Sequence, residues 1–185
     1  TISTGCTYRN TQIRNDHMTF PTDKLILKPS DIDLSFSPLK ADIKRDTYVL
    51  GAFNPGLTRL PNNNLLMMVR VAEALSKPVF DGMVHSIRWT TTGYQLDGYP
   101  LEEVNMEDPR KFLIKSDLPA PILALTSLSW LLPVELSPDG LEIVTIHYDK
   151  IISPDRPSQE YGIEDARISR IEGKYYMTTC TVSAE

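Results

Sequence analysis

Cysteine is scarce in this sequence, and so are excess basic charge and long apolar runs. The two cysteines, Cys6 and Cys180, are too few for a disulfide framework, so we expect a reducing compartment and a small core residue at Cys180. The net charge of −5 argues against nucleic acid as the main partner. No apolar run approaches the length of a membrane span, and residues 1–10 lack the basic and apolar regions of a secretory signal. We therefore expect a cytoplasmic protein with neither a membrane nor a nucleic acid as partner.

Histidines with the spacing of metal ligands are also missing. The three histidines, His17, His85 and His147, are scattered along the chain. We expect them to be ordinary surface or core side chains. The sequence thus predicts no metal site and no cofactor.

The 185 residues are sufficient for one domain with a real core, and a hydrophobic fraction of 41% is ordinary for a globular protein. Strand-like apolar runs alternate with turn signals from Thr47 onward, and the first of them, Tyr48–Phe53, is expected to stop at Asn54-Pro55-Gly56. One short segment, Val71–Leu75, is the only helix candidate. We expect residues 1–46 to be a leader that packs on the body of the fold. Residues 47–185 are then an all-β domain.

One motif occurs twice in the strand-rich part. Glu107-Asp108-Pro109-Arg110 and Glu164-Asp165-Ala166-Arg167 each precede a strand, a turn and an apolar strand that ends in Thr and Ser. Self-similar units of about four strands suggest the blades of a β-propeller. Adjacent acids are unusual at the start of a strand, because Asp is depleted there and like charges repel. The motif is therefore either a structural ion pair or a binding site. We favour the structural role for the first copy and the functional role for the second.

Three ordered motifs resemble glycoside hydrolase family 130. They are Phe53-Asn54-Pro55-Gly56, the strand end Met68-Val69-Arg70-Val71, and the segment from Tyr161 to Ile168 that contains Glu164-Asp165-Ala166-Arg167. The family comprises β-mannoside phosphorylases and β-1,2-mannosidases on a five-bladed β-propeller. The resemblance implies that residues 47–185 are the first blades of a catalytic β-propeller, of which this chain covers roughly the first half. Two departures are Ala166, where the family usually has proline, and Glu73, which comes one residue later than the family's acid after the strand arginine.

The resemblance implies a role for each motif residue. Asp165 matches the catalytic acid, which passes its proton through a hydroxyl of the bound mannose. Asn54 and Arg70 match residues that hold the sugar at the −1 subsite, and an amide and a guanidinium can grip vicinal hydroxyls. We count Glu164 and Arg167 as further substrate-binding candidates. In a regular strand Asp165 and Arg167 would share a face, and Glu164 would lie on the other.

Three functions remain open on these residues. The preferred one is inverting phosphorolysis of a β-mannoside oligosaccharide to α-mannose 1-phosphate, with inorganic phosphate as co-substrate and no cofactor. The second is an inverting β-1,2-mannosidase, and the third is a carbohydrate-binding propeller without turnover. The phosphorylase and the hydrolase should differ at residues beyond Glu185, where a basic cluster would hold phosphate. The oligomeric state is open, with a homo-oligomer as one alternative.

Overall fold

The computed structural model describes residues 22–115 and 121–183, which build an all-β domain without an α-helix in those ranges. The fold class predicted from the sequence is confirmed at this level. The strands are β1 Thr47–Arg59, β2 Leu65–Leu75, β3 Val79–Phe80, β4 Met83–Thr90, β5 Gly93–Pro100, β6 Val104–Asn105, β7 Lys111–Ile114, β8 Ile122–Leu125, β9 Ser127–Leu136, β10 Ile143–Ile146, β11 Ile163–Ile171 and β12 Lys174–Thr181. Short 3-10 turns occupy Pro29–Asp31, Leu34–Phe36, Leu101–Glu103, Tyr148–Lys150 and Pro157–Gln159.

The described strands form four antiparallel sheets. The largest has the order β1-β2-β9-β10, and the others are β3-β4-β5, β6-β7-β8 and β11-β12. Both β2 and β9 are long and apolar on both faces, so each is stable only as an inner strand with cover on both sides. Their pairing leaves β3 to β8 as a long excursion between them. The sequence repeat predicted four-stranded units made of consecutive strands, but the four-stranded sheet observed here joins β1 and β2 to β9 and β10. No closed ring of sheets is seen in the described ranges.

Two boundaries differ from the sequence prediction. Strand β1 does not stop at Asn54-Pro55-Gly56 but continues through it to Arg59, with a register shift against β2 between Phe53 and Gly56. The Pro lies within the shifted part, where a ladder hydrogen bond is not required. The helix candidate Val71–Leu75 is instead the end of β2, because its side chains are buried on both faces.

The four-stranded sheet has a different neighbour on each face. One face contributes Val71, Trp130 and Leu132 to the main apolar core, where they pack with residues of the segment before β1 such as Leu39. The opposite face places Met68 and Leu131 against Ile163 and Ala166 of β11. Strand β11 therefore lies over the side of β2 that also carries Arg70, since Met68 and Arg70 are two positions apart.

The segment before β1 packs on the body of the fold through buried Leu27, Ile32, Leu39 and Ile43. Its proposed boundary at residue 46 stays a prediction, and its first 21 residues, with Cys6 and His17, lie outside the described ranges.

The hairpin of β11 and β12 is largely exposed. Tyr176 and Ile171 are each more than half exposed, and Cys180 is an exposed free thiol. The expectation that Cys180 is a core residue is wrong, because nothing in the described ranges covers that stretch of β12. No helix in those ranges is long and apolar enough to cross a membrane.

Candidate active site

Four of the five predicted site residues meet in one cluster. The Asn54 Nδ2 of β1 donates to the Asp165 Oδ1 of β11 at 3.0 Å. From β2, the Arg70 Nη1 donates to the same oxygen at 3.3 Å, and Nη2 donates to the Glu164 Oε1 at 2.6 Å. Three motifs that are far apart in the sequence therefore share one polar site.

Asn54 reaches the cluster because β1 bulges there. Its φ of 46° is left-handed, which Asn tolerates better than most residues. Gly56 then allows β1 to pass close to β11, since a Cβ on Gly56 would lie 2.6 Å from the carbonyl oxygen of Ala166. The Asn-Pro-Gly sequence thus re-aims a side chain in mid-strand, as β-bulges commonly do.

Asp165 lies in a second bulge, opposite the first. Its φ is 49°, and the register between β11 and β12 shifts between Glu164 and Arg167. The shift breaks the regular alternation of side chains. The prediction that Asp165 and Arg167 share a face, with Glu164 on the other, is therefore wrong: Glu164 and Asp165 both point to Arg70.

Arg167 is the fifth predicted residue, and the structure does not bring it into the cluster. Its Nη1 donates to the carbonyl oxygen of Ala166 at 2.9 Å, and the residue is exposed. Its charge contributes only weakly to the lowered pKa of Asp165. A contact between Arg167 and a sugar stays a prediction.

Arg70 connects the two carboxylates of the cluster to β9 and to Phe53. Its Nε donates to the Ser129 Oγ of β9 at 3.1 Å, and its guanidinium lies over the ring of Phe53 at 4.8 Å from the centroid. Ser129 is 1% exposed, and its hydroxyl helps to lower the pKa of Glu164 against the effect of burial. Sequence reasoning missed Ser129, although a serine inside an otherwise apolar strand is a signal that could have been followed.

The two carboxylates have opposite electrostatic environments. Burial raises the pKa of Glu164, and the Asp165 carboxylate adds to that rise, while Arg70 opposes it. The hydrogen bond from Asn54 is the main cause that lowers the pKa of Asp165, and Arg70 lowers it further. Asp165 is also the more open of the pair, with 32% of its side chain exposed against 13% for Glu164. Carboxylates separated in this way are suited to different chemical roles.

The first copy of the motif is a local ion pair. Arg110 binds Asp108 at 2.9 and 3.0 Å through its side chain, and its backbone N–H donates to the same carboxylate. The side chain of Arg110 is 83% exposed, so the pair closes a surface turn and does not connect neighbouring strands. The ion pair expected for the first copy is therefore present, but it does not pin adjacent strands as a blade-structural pair would.

Glu73 belongs to the core and not to the cluster. It lies three positions after Arg70, which places it on the opposite face of β2. It is fully buried, and it accepts hydrogen bonds from the Ser37 hydroxyl at 2.7 Å, the Thr47 hydroxyl at 2.6 Å and the Trp130 Nε1 at 2.9 Å.

The cluster offers a ligand both hydrogen-bond donors and acceptors at a partly open carboxylate. Within residues 22–115 and 121–183, the hydrogen bonds to the Asp165 side chain both end on Oδ1, which leaves Oδ2 for a ligand. No group of three or more His, Cys, Asp or Glu side chains in those ranges could hold a metal ion. The side chains of the cluster can transfer a proton and bind hydroxyl groups.

Two comparisons with known proteins agree with the motifs. Over 141 residues the chain is 32% identical to a β-1,2-mannobiose phosphorylase of Listeria innocua, an alignment that covers 73% of this chain and 38% of that enzyme. It is also similar to the solved structure of the β-1,2-mannobiose phosphorylase from Listeria innocua in complex with β-1,2-mannobiose. That likeness has a TM-score of 0.67 and 29% identity, and it covers 84% of this chain and 42% of that one. No protein-family model matches the chain. The chain thus spans about two fifths of the length of the enzyme that it resembles.

Proposed function

The chain is a relative of glycoside hydrolase family 130, as its motifs predicted, and on that premise we propose that it contributes the sugar-binding side of a β-mannoside phosphorylase. The proposed enzyme transfers a mannosyl group from a β-mannoside oligosaccharide to inorganic phosphate with inversion. The products are α-mannose 1-phosphate and the shortened sugar. β-1,2-Mannobiose is the first substrate to test, because the similar solved structure contains it.

The observation that carries the proposal is the convergence of Asn54 and Arg70 on one oxygen of Asp165. A single sugar bound at Oδ2 would be within reach of all three side chains. Two donors and one carboxylate on a partly open surface match the donor and acceptor pattern of vicinal hydroxyls.

Each residue then has a role in the reaction. Asp165 donates the proton that the leaving glycosidic oxygen receives, through a hydroxyl of the bound mannose. A phosphate oxygen forms the new bond to the anomeric carbon as the glycosidic bond breaks. Asn54 and Arg70 hold the sugar, and Glu164 orients Arg70 through their 2.6 Å ion pair. Arg70 is not assigned to phosphate, because its N–H groups face carboxylates and Ser129.

The lowered pKa of Asp165 has a consequence for this mechanism. Without a sugar, Asn54 and Arg70 keep the carboxylate ionised at neutral pH. Sugar hydroxyls would compete for the same two donors, and their loss from Oδ1 would raise the pKa of Asp165. Binding of the substrate would thereby favour the protonated form that the reaction requires.

We propose that the described sheets are part of a five-bladed β-propeller, with the cluster of Asn54, Arg70 and Asp165 facing its central opening. The cytoplasm remains the expected compartment, and a homo-oligomer remains one alternative for its assembly.

The product of the reaction tests the proposal. The intact protein is incubated with β-1,2-mannobiose with and without inorganic phosphate, and the products are separated by anion exchange. We expect mannose 1-phosphate that depends on phosphate. Free mannose that forms equally without phosphate would indicate a hydrolase, and binding without any product would indicate a carbohydrate-binding protein.

A further inference from the structure

We propose that Phe53 and Gly51 are positioning residues for Arg70, a step that rests on the proposed function. Phe53 lies on β1 directly opposite Arg70 of β2 in the antiparallel register, and the guanidinium carbon lies 4.8 Å from the centroid of its ring. This distance is within the range of a favourable cation–π contact. The ring thus supports the face of the guanidinium, while its edges are bound elsewhere.

The edges of the guanidinium carry three different partners. Nε binds Ser129, Nη1 binds Asp165 and Nη2 binds Glu164. These hydrogen bonds fix the position of the Arg70 guanidinium within its own plane. They restrain its tilt out of that plane less well. The Phe53 ring, over which the guanidinium carbon lies at 4.8 Å from the centroid, supplies that restraint. The Phe53 ring therefore fixes the orientation in which the Arg70 guanidinium contacts Asp165 and would contact a sugar.

Gly51 explains how the ring comes to lie there. Gly51 and Phe53 are two positions apart on β1, and a Cβ on Gly51 would lie 2.3 Å from the Phe53 Cε1 and 2.6 Å from its Cδ1. The ring therefore lies flat along the strand over a residue that has no side chain. Any larger residue at position 51 would displace the ring from its place against Arg70.

A substitution at position 51 can therefore test the position of the ring separately from its presence. The atoms that a Cβ would meet belong to the outer part of one side chain and not to backbone, so Gly51→Ala moves the ring without removing it. Phe53→Leu removes the aromatic face, whereas Phe53→Tyr keeps it. Tyr48→Leu is a matched control, because Tyr48 is an exposed aromatic residue on the same strand, outside the cluster.

Turnover of β-1,2-mannobiose with phosphate is measured for the intact protein and these variants. We expect kcat to fall by about 10- to 100-fold in Phe53→Leu and in Gly51→Ala, since displacements near 1 Å can cost that much. Phe53→Tyr should recover most of the loss, and Tyr48→Leu should match the parent protein. A rise in KM alone in Phe53→Leu would overturn the proposal, because it would mean that the ring contacts the sugar itself.

A second measurement does not depend on activity. The Nε–H signal of Arg70 in a ¹H–¹⁵N NMR spectrum, assigned with Arg70→Lys, should carry a ring-current shift in the parent protein and in Phe53→Tyr. The shift should be lost in Phe53→Leu and altered in Gly51→Ala. If the parent protein has no turnover but the shift behaves in this way, the proposed function fails and the positioning role stands. An unchanged shift in Phe53→Leu would overturn the positioning role, whatever the activity.

Discussion

At the scale of single residues, the cluster pairs two carboxylates whose environments differ. Glu164 is the more buried, and it bonds the Arg70 Nη2, while Asp165 is more open and accepts from both Asn54 and Arg70. The same guanidinium thus contacts a carboxyl group whose pKa is raised and one whose pKa is lowered. This asymmetry can be measured directly.

We expect the carboxyl carbons to titrate in the order that these contacts imply. In a ¹³C NMR titration of the unliganded protein, Asp165 should titrate below its ordinary value of 3.8 and Glu164 above its ordinary value of 4.5. Asn54→Gly, which keeps the left-handed backbone and removes the amide, should raise the pKa of Asp165. Titration of Asp165 above Glu164 would contradict this assignment.

The lowered pKa of Asp165 also makes the stability of the folded protein depend on pH. Because the folded-state pKa of Asp165 is below its unfolded value, ionisation of this group stabilises the folded protein at neutral pH. The contribution is lost as the pH falls through the folded-state pKa. In Asn54→Gly the total loss should be smaller and should be complete at a higher pH, because the folded-state pKa lies closer to the unfolded value.

At the scale of strands, two bulges bring the site together. Asn54 and Asp165 both have a positive φ within a strand, and each is next to a register shift. Gly162 supports the second bulge, because β11 passes so close to β9 there that a Cβ would lie 2.1 Å from the carbonyl oxygen of Ser129.

A comparison of Gly162 with Gly173 distinguishes the energetic effect of this close approach from that of backbone strain. Gly162 and Gly173 both have a positive φ, but a Cβ on Gly173 would meet nothing within 4 Å. We expect Gly173→Ala to cost about 1–2 kcal/mol of unfolding free energy from strain alone. Gly162→Ala should cost about 1–3 kcal/mol more, because of the added overlap. Urea denaturation measures both, and equal losses would contradict the role that we give to the contact with β9.

The sequence was sufficient to predict the strands of the hairpins but not the bulges. Met83–Thr90, Gly93–Pro100 and the β9–β10 hairpin follow from apolar runs bounded by turn residues. The bulge at Asn54 looked like the end of a strand, because Asn, Pro and Gly are also the residues that make turns. Which of the two forms depends on the β2 and β11 strands beside it, and local sequence does not contain that information.

The same lack of information about neighbouring strands explains why the candidate site was predicted only in part. Asn54, Arg70, Glu164 and Asp165 carried motif signals, so their meeting could be anticipated. Arg167 was placed by strand alternation, and alternation fails where a bulge adds a residue. Ser129 and Phe53 act on Arg70 from two further strands, and such contacts become visible only with the sheet register.

At the scale of the whole molecule, Glu73 joins the segment before β1 to the main sheet. Its carboxylate accepts from Ser37 of that segment, from Thr47 at the start of β1 and from Trp130 of β9. No cation takes part in these three hydrogen bonds. Their energetic value therefore depends on all three donors being satisfied together.

We expect Glu73→Ala to lower the unfolding free energy by about 3–5 kcal/mol, because it leaves buried donors unpaired and opens a cavity. Glu73→Gln should cost less, since one amide oxygen can still accept from Trp130. The exposed Glu142 is the control, and Glu142→Ala should stay within about 0.5 kcal/mol of the parent protein. Urea denaturation that gives Glu73→Ala the same stability as Glu142→Ala would contradict this role for Glu73.

Asp165 is the proton donor and the central residue of the proposed reaction. Asp165→Asn removes the acid and keeps a residue that tolerates the left-handed backbone. Turnover of β-1,2-mannobiose with phosphate and calorimetric affinity for the same sugar are measured on the intact protein, with Asp108→Asn as the control from the other copy of the motif. We predict that Asp165→Asn lowers kcat by about 10²- to 10⁴-fold with affinity within a few-fold of the parent protein, and that Asp108→Asn changes neither. Undiminished turnover in Asp165→Asn would contradict the account.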